Sequence, residues 1–246
     1  MPPIEDLSAV QAILLVSILM ECFVALAWLF TAALLPTARS ATLHWAGFAL
    51  LQGGAFLLYL LSSQWSAYPV HAAANLLLIT SLLLQVRGLQ RVTAQPTSDR
   101  TFIALLVVAA VVQGIWLAPE HTRWRIALVS LLASGLCAWS AATLLRYVQI
   151  NGDRTQRLLS LLPGMPFVVG SAIFAVRAAL ALLQPGQLIR NNRIDQTISI
   201  PAGLAWLFLS MGMALAMAGV VLYQLQRKLS RAATHDALTG LPNRRA

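Results

Sequence analysis

The stretch from Ile200 to Tyr223 reads IPAGLAWLFLSMGMALAMAGVVLY and contains no charged side chain. A helix needs about 20 consecutive apolar residues to cross the roughly 30 Å hydrocarbon core of a bilayer. This stretch meets that requirement over its whole length. It therefore predicts a transmembrane helix.

Six other stretches have the same character, and prolines stand in the breaks between them, where a helix tolerates them. Only 10% of the chain is charged, against about 25% in a soluble domain. The sequence predicts an all-α integral membrane protein, a seven-transmembrane-helix bundle over residues 1–224. The other six spans are placed at Ser8–Leu35, Ala41–Ser62, Tyr68–Val86, Phe102–Ala118, Ile126–Tyr147 and Met165–Gln184.

The basic residues are divided unevenly between the two ends of these spans. Twelve lie in connections on the side of the C-terminus, four lie on the opposite side, and Arg177 lies within a span. Lys and Arg accumulate on the cytoplasmic side of membrane proteins. We therefore expect the N-terminus outside and the C-terminus in the cytoplasm. The net charge of +9 follows from these connections, and we expect no nucleic-acid partner.

The residues from Ala233 to Arg245 read ATHDALTGLPNRR. This string resembles the opening of the GGDEF family of diguanylate cyclases, whose catalytic domain begins with the pattern D-x-L-T-G-L-x-N-R-R. It also follows a last transmembrane helix on the expected cytoplasmic side, as in that family. The matching residues are Asp236, Leu238, Thr239, Gly240, Leu241, Asn243, Arg244 and Arg245.

The resemblance implies a GGDEF domain that starts at residues 235–246 and makes cyclic di-GMP from two GTP with Mg²⁺. The family's catalytic residues lie downstream of the motif, so no catalytic residue is expected within this chain. The chain would then be the sensory input and dimerisation module of such a cyclase in a bacterial inner membrane. Two alternatives remain: a receptor or scaffold with a degenerate GGDEF domain, and a redox- or metal-sensing membrane domain.

A juxtamembrane signalling helix is expected over residues 225–234, as a continuation of the seventh span. Apolar residues spaced by three and four run through this region, which is the a/d pattern of a coiled coil. They predict a parallel homodimer in which Leu222, Leu225 and Leu229 are candidate contacts. The whole series is Leu215, Ala218, Leu222, Leu225, Leu229 and Ala232.

Polar residues within the spans are candidate binding residues, because a charge in hydrocarbon costs about 2.5–3.5 kcal/mol on insertion scales. In one interpretation Glu21 and Arg177 form a buried pair and the amide side chains link helices. In the other, Arg177 binds an anionic or amphiphilic small molecule or lipid in the outer half of the bundle, and Glu21 holds Arg177 when the site is empty. The candidates are Arg177, Glu21, Gln52, Asn75, His71 and Gln113.

The histidines provide only a weak prediction of a metal site. His71 and His121 are both expected near the outer edge, where Glu120 could complete a site. His44 and His71 are expected near opposite faces of the membrane, so they cannot ligate one haem iron, which needs both axial ligands. We therefore predict no cofactor for the membrane part.

Overall fold

The computed structural model describes residues 8–62, 67–97, 99–115, 119–151, 162–184, 189–190, 193–194 and 196–234. Two 3₁₀ turns, Pro119–His121 and Leu162–Gly164, precede the fifth and sixth helices, and two short antiparallel strands, β1 (Ile189–Arg190) and β2 (Arg193–Ile194), precede the seventh. The seven α-helices of the described residues are α1 (Ala9–Leu34), α2 (Arg39–Leu61), α3 (Ala67–Val92), α4 (Asp99–Ile115), α5 (Thr122–Asn151), α6 (Met165–Leu183) and α7 (Gln196–Thr234).

Six of these helices, α1, α2, α3, α5, α6 and α7, are long and apolar enough to cross a membrane. The protein is therefore a multi-pass helical membrane protein. The remaining helix, α4, overlaps the predicted fourth span but has only 17 described residues. Residues 116–118, which the sequence assigns to that span, lie outside the described part. The count of seven spans stays a prediction.

Local sequence signals explain where several helices begin. Ser8 forms a capping box with Gln11 at the start of α1: its hydroxyl accepts from the Gln11 backbone N–H, and the Gln11 side chain accepts from the Ser8 N–H. These bonds satisfy two of the donors that a helix start leaves unpaired. Pro166 occupies the first turn of α6, where its missing N–H costs nothing.

Helix α3 lies at the centre of the bundle and packs against α2, α4, α5 and α7. The core between the helices combines many alanines with a few fully buried large side chains, such as Trp45, Phe48 and Phe167. Small residues let transmembrane helices approach closely. Large apolar side chains such as Phe23, 72% exposed, cover the outside, as expected for a surface that contacts lipid.

The helices alternate in direction, so the bundle has two distinct ends. We call the end where α1, α3, α5 and α7 begin the N side, and the opposite end the C side. On the N side, Tyr59 near the end of α2 donates to Asn75 near the start of α3. On the C side, Gln224 of α7 donates to the Val92 carbonyl at the end of α3.

The close approach of α2 to α3 depends on Gly88. The Trp45 side chain is fully buried, and its indole N–H donates to the Gln85 carbonyl at 3.3 Å. A Cβ atom on Gly88 would overlap this indole ring. The tryptophan therefore packs into a space that only glycine leaves open.

Candidate functional site

A cluster of polar side chains joins three helices on the N side. The Tyr59 hydroxyl of α2 donates to Asn75 Oδ1 of α3 at 2.6 Å. Asn75 Nδ2 in turn donates to Gln113 Oε1 of α4 at 3.4 Å. The His71 ring lies against the Tyr59 ring, with centroids 5.5 Å apart. We call these four residues, with the arginines below, the N-side cluster.

Two arginines approach the N-side cluster from α5 and α6. Arg177 is partly buried and its guanidinium donates to the Ser130 hydroxyl at 3.4 Å. Arg125 is 4% exposed and donates to the Thr122 hydroxyl at 3.1 Å. Both guanidinium groups are close enough to Tyr59 to act on its hydroxyl electrostatically. The N-side cluster therefore brings guanidinium, hydroxyl, amide and imidazole groups together in one region.

A second polar network lies in the middle of the bundle and joins α1, α2, α3 and α7. Glu21 Oε1 accepts from the Ser210 hydroxyl at 2.5 Å and from Gln52 Nε2 at 3.2 Å. The Ser81 hydroxyl reaches Gln52 Oε1 at 3.4 Å. All four side chains are fully buried or nearly so. We call them the central network.

The predicted pairing of Glu21 with Arg177 is wrong. Glu21 bonds to Ser210 and Gln52, and Arg177 bonds to Ser130, so the two charged groups belong to separate clusters. Arg177 lies about two turns from the N-side end of α6, whereas Glu21 is near the middle of α1. The companion prediction that amides link helices is confirmed for Gln52, Asn75 and Gln113.

The hypothesis that Glu21 holds Arg177 in an empty site therefore has no geometric basis. The structure does place Arg177, His71, Asn75 and Gln113 in or beside one cluster on the N side. It places Glu21 and Gln52 in the other. A ligand-binding role for any of the six stays a prediction.

The histidines do not converge with acids or thiols on a common point in the described residues. Within them, no three His, Cys, Asp or Glu side chains are arranged to hold a metal ion. His71 lies on Tyr59 instead, and the His44 ring bonds to the Ser40 carbonyl of its own helix. The weak prediction of a metal at His71 and His121 gains no support.

Sequence reasoning missed Ser81, Ser210 and Gln85 as members of polar contacts. In the sequence, Ser210 indicates only a small residue that allows close packing, yet it provides the hydrogen bond from α7 to Glu21. Gln85 is fully buried, and its Nε2 lies 3.1 Å from the Met213 sulfur of α7. The signal that could have found them is a hydroxyl or amide group inside an apolar span, which needs a partner when it is buried.

Besides the bond from Ser210 to Glu21, helix α7 makes a second set of contacts with the bundle near the C side. Gln224 donates to the Val92 carbonyl and lies 3.5 Å from the Tyr147 hydroxyl. The Tyr223 ring packs edge-on against Tyr147. Leu225 is partly buried against the same core. This face of α7 is therefore occupied by its own bundle.

The opposite face of α7 is exposed and apolar. Leu215, Leu222 and Leu229 are exposed by 65–71%, and Phe208 by 72%. These four residues are spaced seven apart, so they form one straight stripe in a supercoiled helix. We call them the α7 stripe. Of the predicted contacts, Leu222 and Leu229 belong to it, whereas Leu225 lies at its edge on the same side of the helix and is partly buried against the core.

The residues of the GGDEF-like motif, from Asp236 to Arg245, lie outside the described residues. Comparisons of the chain with models of protein families, with curated proteins and with solved structures find no match.

Proposed function

We propose that this chain is the membrane-embedded input and dimerisation module of a diguanylate cyclase. The observation that carries the proposal is the continuity of α7. It is one helix of 39 residues from Gln196 to Thr234, and its last turn adjoins the D-x-L-T-G-L-x-N-R-R-like string. A change in the bundle can therefore pass along one unbroken helix as far as Thr234.

The contacts of α7 support this role, because they connect it to the rest of the bundle at two levels. In the middle, Ser210 donates to Glu21 of α1. Near the C side, Gln224 donates to the Val92 carbonyl of α3. A rearrangement of α1 or α3 would therefore change the position of α7.

The proposal includes a parallel homodimer formed through the α7 stripe. A cyclase that joins two GTP needs two catalytic domains face to face, so the rotation of the two α7 helices relative to each other would control the reaction. Leu229 is 71% exposed and stands next to Lys228, at the level where the helix carries charge. A large apolar side chain there favours contact with a second copy over contact with water.

The same proposal places all seven helices across a bacterial inner membrane, with α4 as a short span and the C side in the cytoplasm. The excess of basic residues in the C-side connections supports this orientation. The stimulus is assigned to the N-side cluster. The guanidinium group of Arg177 suits the anionic group of a small molecule or lipid.

The main test changes the direction in which α7 presents the catalytic domain, by rotating the end of the helix. The full chain would be fused, through its own motif, to the catalytic domain of an active diguanylate cyclase that lacks its own input region. One to seven alanines would be inserted after Thr234. Each added residue turns the helix by about 100°. We therefore expect cyclic di-GMP output to change about tenfold after two or five insertions, which face the catalytic domain away from its original direction, and to return toward the starting value after four and seven.

Cyclic di-GMP would be measured by mass spectrometry in cell extracts and normalised to the amount of fusion protein in the membrane. A fusion with an inactivated catalytic domain sets the background. Output that stays the same for every insertion length would contradict the proposal, because it would mean that the orientation of α7 does not matter to the enzyme.

Disulfide crosslinking of single cysteines tests the dimer contact. In a chain with Cys22→Ala and Cys137→Ala, we expect Leu222→Cys and Leu229→Cys to crosslink several-fold more than Val220→Cys in native membranes. The reason is that Val220 is buried in the core of its own bundle. Dimer bands on non-reducing gels would be quantified. Equal crosslinking at all three positions would contradict a contact through the α7 stripe.

A further inference from the structure

Glu21 is an acid in the middle of the bundle, and no charged side chain of the described residues is bonded to it. Its side chain is fully buried, and its Oε2 atom has no hydrogen-bond partner among the described residues. Only Oε1 is bonded, to Ser210 and Gln52. An isolated ionised carboxylate in a low-dielectric interior is very costly unless an opposite charge or a proton neutralises it.

The helices packed around Glu21 bring oxygen and amide groups to it but, among the described residues, no charged side chain bonded to it. Helix α2 contributes Gln52 and the backbone of Gly53, whose added Cβ would lie 3.4 Å from Glu21 Cβ. Helix α7 contributes Ser210, and α3 contributes Ser81 through Gln52. On α1 itself, the neighbouring Cys22 is exposed and points away. Within the described part of the chain, only a bound ion or proton is left to neutralise the carboxylate.

We propose that Glu21 binds a monovalent cation, a proton or an alkali metal ion, within the central network. Two oxygen groups lie directly at the site, the Glu21 carboxylate of α1 and the Ser210 hydroxyl of α7. Gln52 presents its Nε2 to Glu21 and its Oε1 to the Ser81 hydroxyl, so its carbonyl would face a metal ion at Glu21 only after the amide turns over. Oxygen ligands suit hard cations. One carboxylate neutralises a monovalent ion, whereas a divalent ion would leave a net positive charge in the hydrocarbon.

The consequence of binding concerns α7. The bond from Ser210 to Glu21 joins the long helix to α1, and the same carboxylate holds the cation. Occupancy of the site therefore changes the contact between these two helices. If the proposed function is correct, cyclase output would depend on protons or alkali ions, but the binding site itself does not require a cyclase.

The test uses the full chain, purified and placed in lipid nanodiscs, with no catalytic readout. Its melting temperature would be measured against sodium concentration, with choline chloride keeping the ionic strength constant, and against pH in choline alone. The wild type would be compared with Glu21→Gln, which keeps the shape and a hydrogen-bond acceptor but carries no charge.

Two results support the site and identify its ligand. If an alkali ion binds, wild-type melting temperature rises by roughly 3–6 °C for each tenfold increase in sodium above the dissociation constant, and Glu21→Gln does not respond. If a proton binds, wild-type melting temperature in choline falls as pH rises, because the neutralising ion becomes scarce, and Glu21→Gln again does not respond. Equal responses of the two proteins to sodium and to pH would overturn the proposal.

A serine pair provides a control that remains informative if Glu21→Gln does not fold. Ser210→Ala removes a partner of Glu21 and is expected to shift the sodium or proton response about tenfold in concentration. Ser17→Ala removes an equally buried hydroxyl one turn away on α1, which donates only to the Ile13 carbonyl of its own helix, and is expected to respond like the wild type. Equal responses of these two variants would also contradict the site.

Discussion

Gly88→Ala is expected to lower the free energy of unfolding by about 2–3 kcal/mol, the upper part of the range for overpacked cores. The added methyl group would occupy the position of the Trp45 indole. Trp45 is fully buried and its N–H is bonded to the Gln85 carbonyl, so the ring cannot move without losing both packing and a hydrogen bond. Unfolding in detergent, followed by circular dichroism, measures the effect.

Gly114→Ala and Gly135→Ala are the matched controls, since an added Cβ at either site meets no atom of the described residues within 4 Å. Both positions are helical, so alanine is expected to be neutral or to stabilise by up to about 1 kcal/mol. Trp45→Phe, with its smaller ring, should restore part of the stability of Gly88→Ala. A Gly88→Ala variant as stable as the controls would refute the close approach of α2 and α3.

The second large effect is the energetic coupling between Glu21 and Ser210. Each of the variants Glu21→Met and Ser210→Ala leaves a buried polar group without its partner, which costs about 1–3 kcal/mol. The double variant removes both groups and avoids part of that cost. We therefore expect a coupling energy of about 1–3 kcal/mol in a double-mutant cycle measured by unfolding.

A cycle between Glu21→Met and Arg177→Gln is the control for that measurement. The two residues have different partners, so their effects should add to within about 0.5 kcal/mol. Strong coupling between Glu21 and Arg177, together with weak coupling between Glu21 and Ser210, would instead support a direct ion pair and contradict the structure.

The long helices were predictable because an uncharged apolar run of about 20 residues is typical of a membrane span and rare in water-soluble domains. The ends of these helices were harder to predict. Helix α3, for example, continues to Val92, beyond the predicted end at Val86. Two groups in the extra turns have partners on other helices: Arg87 pairs with Asp99 of α4 at 2.6 Å, and the Val92 carbonyl accepts from Gln224 of α7. Gln95, just after α3, donates to the Thr143 carbonyl of α5 at 2.7 Å. A count of apolar residues contains no information on such contacts.

The sequence identified several of the polar residues that form the candidate sites, but it did not show which of them contact each other. The cost of charge in hydrocarbon identified Glu21 and Arg177 as unusual. In a membrane bundle, however, both the core and the lipid-facing surface are apolar, so hydrophobic periodicity does not show which way a side chain points. Position along the helix made a pair of Glu21 and Arg177 plausible. The observed orientations of α1 and α7 about their own axes point Glu21 toward Ser210 instead.

The two attachments of α7, at Ser210 and Gln224, are 14 residues or about 21 Å apart. Because α7 is bonded to neighbouring helices at two levels, it cannot tilt away from the bundle without breaking one of these bonds. The movements left to it are a turn about its long axis and a slide along it. No proline interrupts the chain between Ser210 and Thr234, so either movement would arrive at Thr234 with its full amplitude.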